Sequence, residues 1–257
     1  MAASPTTTST CPRSCVTDRL SRVSVRIRRV TTTRSGGVSV APYDSFNLGD
    51  HVGDDPAAVA ANRARLGRAI GLGAERVVWM NQVHGDRVEV VTAPRRAPVE
   101  STDAMVTATP RLALAVVTAD CVPVLMADAR AGVVAAAHAG RAGAQKGVVA
   151  RTLEAMLEAG ARVEDVSVLL GPAVSGVNYE VPDAMADEVE AVLPGSRTVT
   201  SRGTAGLDLR AGIARQLREL GVTAVDVDPR CTVADPALFS HRRGAPTGRL
   251  ASLVWME

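Results

Sequence analysis

The chain has 257 residues, 46% of them hydrophobic, so it is long enough to bury a substantial core. Lys and Arg together number 29 and Asp and Glu number 27, and a net charge of +2 gives no field that favours nucleic acid. Two Tyr, two Phe and two Trp are too few for a platform that stacks single-stranded nucleic acid. No apolar run approaches the roughly 20 residues that span a bilayer, so we expect neither nucleic acid nor a membrane as a partner.

Cysteine usage and the N-terminal segment bear on location and domain organisation. Four cysteines do not make a disulfide framework in a chain of this length, which favours the cytoplasm. Residues 1–22 lack the apolar segment of a signal peptide, and we expect a disordered polar leader in which Cys11 and Cys15 are free thiols. We expect residues 23–257 to form one catalytic domain, present as a monomer or a weak homo-oligomer.

Hydrophobic periodicity predicts strands and helices that alternate along the chain. In chain order, the sequence predicts a strand at residues 23–31, a helix at about 56–70, strands at 76–80, 88–92, 112–118 and 133–137, a helix at 144–159, a strand at 166–170, a helix to about residue 193, a helix at 207–220, and strands at 225–227 and 250–255. Asp54 or Asp55 is the expected N-cap of the first helix, with Pro56 in its first position. This alternation predicts a single-domain mixed-sheet α/β sandwich.

Three side chains that can bind a metal follow predicted strands in tight turns. His84 comes after the strand at 76–80, Cys121 after the strand at 112–118, and His138 closes the strand at 133–137. Ligands of α/β sheets collect beyond the carboxyl ends of strands, so we expect these side chains to meet. Two imidazoles and a thiolate suit Zn²⁺, and three protein ligands leave a fourth position for water or substrate.

Motifs around these residues resemble those of the YfiH-type, or laccase-domain, family. The matching segments are TTRSGGVS, SFNLGDHVGDDPAAVAANR, NQVHGDRV, TADCVPVLMAD, AAAHAGRAG, LLGPAVSGVNYEV, LDLR, and CT with FSHRR and GR near the end. They follow one another in order and cover nearly all of residues 30–255.

This resemblance implies a fold, a metal site and an activity. The fold is one α/β domain, and the zinc ligands are His84, Cys121 and His138. The activity is that of a purine nucleoside phosphorylase, which cleaves adenosine, inosine or methylthioadenosine with phosphate, with adenosine deamination as a further activity. The family also carries an older label, polyphenol oxidase, and a link to editing of peptidoglycan precursors. One motif departs from the family, because HAGWRG is replaced here by His138-Ala139-Gly140-Arg141-Ala142-Gly143.

Phosphorolysis needs groups that hold phosphate and nucleoside. Arg34 lies beside a glycine turn at residues 36–37, whose backbone N–H groups would help to cradle an anion, and Arg141 is a second candidate. Asn47 and Gln82 are candidates for hydrogen bonds to the ribose or the base.

Other polar residues near these motifs have simpler expected roles. His51 and His241 are expected in loops near the mouth of the site. Arg63 and Arg249 are expected to be structural partners in ion pairs, with contact to substrate as the alternative. Asp120, beside Cys121, either orients a metal ligand or caps a turn.

The same residues leave two other classes of function open. Cys121 can serve as a nucleophile with His138 or His84 as its base, in a Cys-His hydrolase or an editing enzyme for peptidoglycan precursors. A binding protein with a structural zinc ion would need a fourth ligand, from Cys231 or His241.

Copper is the alternative to zinc. Two histidines, a cysteine and a weak axial ligand such as Met126 would make a single blue-copper site. A multicopper oxidase needs many more histidines than the four in this chain.

Overall fold

The computed structural model describes residues 25–257. The predicted leader, with Cys11 and Cys15, lies outside the described residues. Within the described part of the chain, no helix combines the length and the apolar character needed to cross a membrane.

The described elements are labelled here in chain order. They are β1 (Ile27–Thr31), α1 (Pro56–Ala69), β2 (Val77–Val78), β3 (Val88–Val90), β4 (Ala104–Thr107), β5 (Ala113–Thr118), β6 (Val122–Asp128), β7 (Val133–Ala139), α2 (Arg141–Gln145), α3 (Val148–Glu158), β8 (Val166–Leu170), α4 (Asp183–Val192), β9 (Arg197–Val199), β10 (Ala205–Leu207), α5 (Leu209–Glu219), β11 (Ala224–Val227) and β12 (Leu250–Met256). Asp55 is the N-cap of α1, since its side chain accepts a hydrogen bond from the Ala57 N–H.

These strands form two mixed sheets and one separate pair. The first sheet has the order β1-β12-β5-β2, and the second has the order β11-β8-β6-β7-β4-β3. Strands β9 and β10 pair with each other. Parallel pairing occurs between β2 and β5, β3 and β4, and β8 and β11, whereas the other neighbours are antiparallel. The predicted mixed-sheet α/β fold is confirmed.

The two sheets pack face to face because alternate residues of their buried strands point into one shared core. Leu114 and Val116 of β5 share this core with Leu125 of β6 and Val134 of β7. The outer face of the four-stranded sheet packs against α1, and the outer face of the six-stranded sheet packs against α3, α4 and α5. The layers therefore follow the order helix, sheet, sheet, helices.

One predicted helix is interrupted near its start. The helix expected at residues 144–159 is divided into α2 and α3 by Gly147, whose φ is +88°. Glycine adopts this left-handed conformation at little cost, so it can turn the chain between two helices.

Strand β6 is present although the sequence analysis does not predict it. All seven of its residues are buried, so it lacks the alternation of apolar and polar side chains that identifies a half-exposed strand. It pairs with β7 on one side and with β8 on the other. Cys121 therefore lies in the short crossover from β5 to β6, and His138 lies inside β7 rather than after it.

Candidate metal centre and its pocket

His84, Cys121 and His138 meet at one end of the two central strands, β6 and β7, of the six-stranded sheet. Cys121 directly precedes β6, His138 lies opposite Pro123 on the neighbouring strand β7, and His84 comes from the loop between β2 and β3. Their ligand atoms all lie within 4.8 Å of one another. The two imidazole centroids are 4.7 Å apart, with the rings inclined at 70°. The donor set fits a tetrahedral metal ion with one position left for a substrate.

A buried carboxylate, Asp103, holds the two histidines in place. Its Oδ1 lies 2.8 Å from His138 Nδ1 and accepts the His84 N–H at 3.0 Å. Its Oδ2 accepts the N–H groups of Val83 and Gly85, and its carbonyl accepts the His138 N–H at 2.7 Å. Since Nδ1 of His138 is engaged, Nε2 is its free ring nitrogen for a metal. The sequence analysis misses Asp103, because an Asp before a strand looks like any turn residue.

Two backbone features let His84 approach the other ligands. His84 has φ +56°, a left-handed conformation that side chains other than glycine seldom adopt, and its loop is held by Asp103. Gly140 lies against the ligands so closely that a Cβ there would be 2.5 Å from His84 Nδ1 and 3.1 Å from Cys121 Sγ. Gly140 is therefore required here, because any side chain at this position would clash with the metal-binding atoms of His84 and Cys121.

The two histidines have opposite electrostatic environments. Burial lowers the pKa of His138, but the charge of Cys121 and the hydrogen bond to Asp103 outweigh burial and raise that pKa to about 9. Partial desolvation lowers the pKa of His84, and the positive charges of His138, Arg141 and Arg249 lower it further against the effect of Asp103. His84 is therefore a neutral imidazole at neutral pH, the form that binds a metal.

A second buried carboxylate, Asp120, ties the Cys121 turn to a C-terminal segment. Asp120 has φ +97°, and its side chain accepts hydrogen bonds from Thr232 Oγ1 at 2.6 Å, Ser240 Oγ at 2.7 Å and the Arg242 N–H at 2.8 Å. Asp120 thus neither contacts the histidines nor merely caps a turn. It fixes the segment that carries Arg242 beside the metal ligands.

A cavity of about 360 Å³ opens at the three ligands. Its wall is formed by His51, Gln82, His84, Val117, Thr118, Ala119, Asp120, Cys121, His138, Arg141, Val174, Tyr179, Leu209, His241, Arg242 and Arg249. His51 and His241 are therefore near the site, as expected. The buried hydroxyl of Thr118 has no hydrogen-bond partner within residues 25–257, which leaves it available to a ligand.

The four predicted substrate ligands divide into two pairs. Gln82 and Arg141 line the cavity. The Gln82 amide already bonds both backbone groups of Val117, at 2.9 and 2.8 Å. Arg34 and Asn47 do not line it. Arg34 is bound to the carboxylate and carbonyl of Asp44.

Asn47 is fully buried and serves the chain itself. It accepts the Arg249 N–H at 2.8 Å and the Gly49 N–H at 3.0 Å, and it donates to the carboxylate of Asp54. The expected contact of Asn47 with substrate is therefore replaced by support for the backbone that carries Arg249. Sequence reasoning could not find this role, because Asn47 and Arg249 are 202 residues apart.

The two arginines expected in structural ion pairs behave differently. Arg63 follows the expectation, since its guanidinium lies 3.2 Å from the carboxylate of Asp50. Arg249 does not, because it reaches the cavity and its Nη1 donates to the carbonyl groups of Thr247 and Gly248. Its assignment as an ion-pair partner is therefore wrong.

Cys231 does not belong to the group of metal-binding residues. Its sulfur accepts hydrogen bonds from the Ser175 N–H and hydroxyl at 3.3 and 3.2 Å and from the Asn178 amide at 3.4 Å. Among the described residues, the group that can hold one ion consists of His84, Cys121 and His138, without His241. The fourth protein ligand needed for a closed structural zinc site is therefore not supplied by either candidate.

An α/β/β/α sandwich with a His-Cys-His group at the end of its central strands defines a class of proteins that can hold a metal ion and leave its fourth position accessible. Comparison with known sequences identifies the class further. Residues 28–257 match the family described as multi-copper polyphenol oxidoreductase laccase, and the chain belongs to this laccase-like, YfiH-type family. The predicted family resemblance is confirmed.

Relatives and solved structures agree with this assignment. A protein of Mycobacterium tuberculosis named purine nucleoside phosphorylase is 79% identical over 235 residues, which cover 91% of this chain and 94% of that protein. The crystal structure of YlmD from Geobacillus stearothermophilus has a TM-score of 0.83 at 34% identity, and covers 90% of this chain and 92% of its own. Bacillus licheniformis YfiH gives 0.83 at 29% identity, with 90% and 93% covered. The name of the relative agrees with the predicted class of enzyme.

Proposed function

We propose that this chain is a zinc-dependent purine nucleoside phosphorylase. The observation that carries the proposal is the group of His84, Cys121 and His138 at the base of a cavity large enough for a small molecule. The name of the relative that is 79% identical supports it. Two nitrogen donors and one sulfur donor suit zinc, and bound zinc would supply Lewis-acid polarisation of a substrate oxygen.

The cavity wall supports a nucleoside as the substrate. Buried Val174 and Leu209 and the ring of Tyr179 provide an apolar surface for a purine. The unpartnered hydroxyl of Thr118 and the amide of Gln82 provide hydrogen-bonding groups for a ribose. A mixed apolar and polar wall of this kind is typical of sites for small organic ligands.

Phosphorolysis breaks the C1′–N9 bond of the nucleoside and forms a C1′–O bond to phosphate. The electron pair of the broken bond leaves with the purine, and the proton of the hydrogen phosphate dianion passes to the purine. The products are the free base and ribose 1-phosphate. The role of the protein is to hold the two reactants in line and to stabilise the departing base.

The test is a product analysis with purified protein that has been treated with chelator and reloaded with zinc. Inosine and phosphate should give hypoxanthine and ribose 1-phosphate in equal amounts, and the same protein before reloading should be inactive. Release of neither product would end the proposal. A parallel reaction with adenosine tests deamination, because inosine then appears without any need for phosphate.

Matched variants connect the activity to the site. Cys121→Ala and His138→Ala should each lose bound metal and turnover while the protein stays folded. Cys231→Ser is the control, because Cys231 is also a partly buried free cysteine but lies outside the metal group. Loss of turnover in Cys231→Ser but not in Cys121→Ala would show that the chemistry depends on Cys231 rather than on Cys121.

A Cys-His hydrolase is the second candidate, and one observation favours it. A ring nitrogen of His84 and one of His138 lie within 4.8 Å of Cys121 Sγ, which is also the arrangement of a nucleophilic thiol beside its base. Alkylation of Cys121 by iodoacetamide, followed peptide by peptide, separates the two functions. Rapid alkylation before chelation indicates a free nucleophile, whereas alkylation only after chelation indicates a metal ligand.

The proposal also includes the size of the substrates and the cellular location of the enzyme. A cavity of about 360 Å³ supports small-molecule substrates, and free thiols at Cys121 and Cys231 support a cytoplasmic location.

A further inference from the structure

Three arginines line the cavity beside the metal ligands: Arg141, Arg242 and Arg249. Within residues 25–257, none of them forms an ion pair with a carboxylate, whereas Arg34, Arg63 and many other arginines do. Three positive charges that converge on one cavity without carboxylate partners repel one another and need an anion.

The carboxylate in the cavity wall does not take this role. Asp120 uses both of its oxygens to accept hydrogen bonds from Thr232, Ser240 and the backbone N–H of Arg242. Its charge reaches Arg249, but its lone pairs are directed at the C-terminal segment. The cavity therefore keeps an excess of positive charge at its arginines.

Arg249 is held in position by residues outside the cavity. Its backbone N–H donates to the buried Asn47 amide oxygen at 2.8 Å. Its side chain crosses Gly49 so closely that a Cβ on Gly49 would be 2.6 Å from Arg249 Cγ. Among the described residues, only Nη1 of its guanidinium has acceptors, so Nε and Nη2 remain free to donate.

Arg242 and Arg141 are also restrained. The Arg242 N–H is bound to Asp120, and its guanidinium lies over the Tyr179 ring, 4.2 Å from the centroid. Nη1 of Arg141 donates to Gln145 at 2.8 Å. Restrained guanidinium groups lose less conformational freedom when they bind a ligand.

We propose that Arg141, Arg242 and Arg249 bind the phosphate co-substrate, as an inorganic phosphate dianion held next to the metal ligands. Guanidinium groups match phosphate geometry through paired N–H donors. The assignment rests on the proposed phosphorolysis. It replaces the expected cradle at Arg34, whose guanidinium is occupied by Asp44, and it adds Arg242 and Arg249 to Arg141.

The position of these charges fits the reaction. Arg141, Arg242 and Arg249 line the same cavity as the three metal ligands, so the guanidinium groups and the metal site border one space. A phosphate bound there lies beside a nucleoside that rests on the apolar wall, and its attacking oxygen is held within the same cavity. The arginines also offset the cost of moving the phosphate dianion out of water, so its attacking oxygen can be held close to the electron-poor C1′ of the nucleoside.

The experiment measures phosphate binding directly and by kinetics. Calorimetric titration of the zinc-loaded protein with inorganic phosphate should show binding that weakens on the order of 10- to 100-fold in Arg242→Gln and Arg249→Gln, the cost of a lost charge-assisted contact. In steady state, the KM for phosphate should rise by the same factor while the KM for inosine stays unchanged. Arg65→Gln is the control, since Arg65 is exposed on α1 and outside the cavity.

The outcomes separate this assignment from the proposed function. Phosphorolysis with an unchanged KM for phosphate in both variants would overturn the arginine site but keep the enzyme class. Phosphate binding that depends on Arg242 and Arg249, without phosphorolysis, would support the site and end the proposed function. Binding of inosine 5′-monophosphate without binding of free phosphate would assign the arginines to a substrate-borne phosphate and overturn the proposal. Loss of phosphate binding in Arg34→Gln alone would overturn it as well.

Discussion

Replacement of Asp103 by Asn tests whether a buried carboxylate sets the affinity of the metal site. The side chain of Asp103 is fully buried and accepts three backbone N–H groups in addition to its contact with His138. An asparagine has the same shape, but one of its two terminal atoms is an amide nitrogen that donates. Whichever way the amide is placed, two donors that now face an oxygen will face NH₂ instead.

The expected loss follows from these contacts. A hydrogen bond to a charged group contributes about 1.5–3 kcal/mol, so two lost contacts give an upper range of about 3–6 kcal/mol. Relaxation of the loop at His84 reduces this, and we expect a fall of about 2–4 kcal/mol in the free energy of unfolding. Loss of the carboxylate behind a metal-binding histidine typically lowers metal affinity by about 10- to 100-fold.

Asp128 provides a matched control for Asp103. It is also fully buried, and its carboxylate accepts three backbone N–H groups, from Arg130, Ala131 and Arg162 at 2.8–2.9 Å. It lies at the far end of β6 from Cys121. Asp128→Asn should therefore lower stability without changing zinc affinity.

Two measurements decide the matter: urea unfolding of the metal-free variants, and competition for zinc against a chromophoric chelator. Zinc affinity equal to that of the unsubstituted protein in Asp103→Asn would refute the reasoning. An equal loss of affinity in Asp128→Asn would show that the effect comes from general destabilisation.

Two further predictions follow from the packing and the charges. Gly140→Ala would place a Cβ 2.5 Å from His84 Nδ1, so zinc affinity should fall by about tenfold or more. Gly244→Ala, where a Cβ meets nothing within 4 Å, should bind zinc normally in the same chelator competition. The hydrogen bond from His51 and the charge of Arg63 lower the pKa of Asp50 from 3.8 to about 2. A depressed pKa stabilises the fold above the unfolded value of 3.8, and this contribution is lost as the pH falls toward 2. Solvent screens this half-exposed carboxylate, so Asp50→Asn should lower the free energy of unfolding by only about 0.5–1 kcal/mol near neutral pH. Urea unfolding should show the variant and the unsubstituted protein becoming equally stable as the pH falls toward 2, and a difference that persists there would contradict this.

Local signals in the sequence predict much of the fold. The strand at residues 166–170 is found as β8 (Val166–Leu170), and the helix expected at about 56–70 is found as α1 with its Asp55 cap. These elements are defined by alternation, capping residues and terminal glycines, which act over a few positions. The same kind of signal predicts β5 and β7, and with them the approximate places of Cys121 and His138.

The parts that cannot be predicted depend on contacts between distant segments. Strand β6 is buried on both faces, so its sequence carries no alternation to identify it. The roles of Asn47 and Arg249 are fixed by a hydrogen bond across 202 residues. Arg34 loses its expected role because Asp44 folds back onto it, a contact that no spacing rule predicts.

The two buried aspartates explain why these distant contacts gather around one site. His84 and Asp120 both have positive φ, a conformation that costs a side chain on the order of 1–3 kcal/mol unless its surroundings hold it. Asp103 holds the His84 loop through three N–H groups, and Asp120 offsets its own strain by binding three donors of the C-terminal segment. One aspartate therefore orders the histidines and the other orders Arg242. Because the Asp120 turn carries Cys121, a change in Asp120 should disturb both Arg242 and the metal group, whereas a change in Asp103 should act on the two histidines.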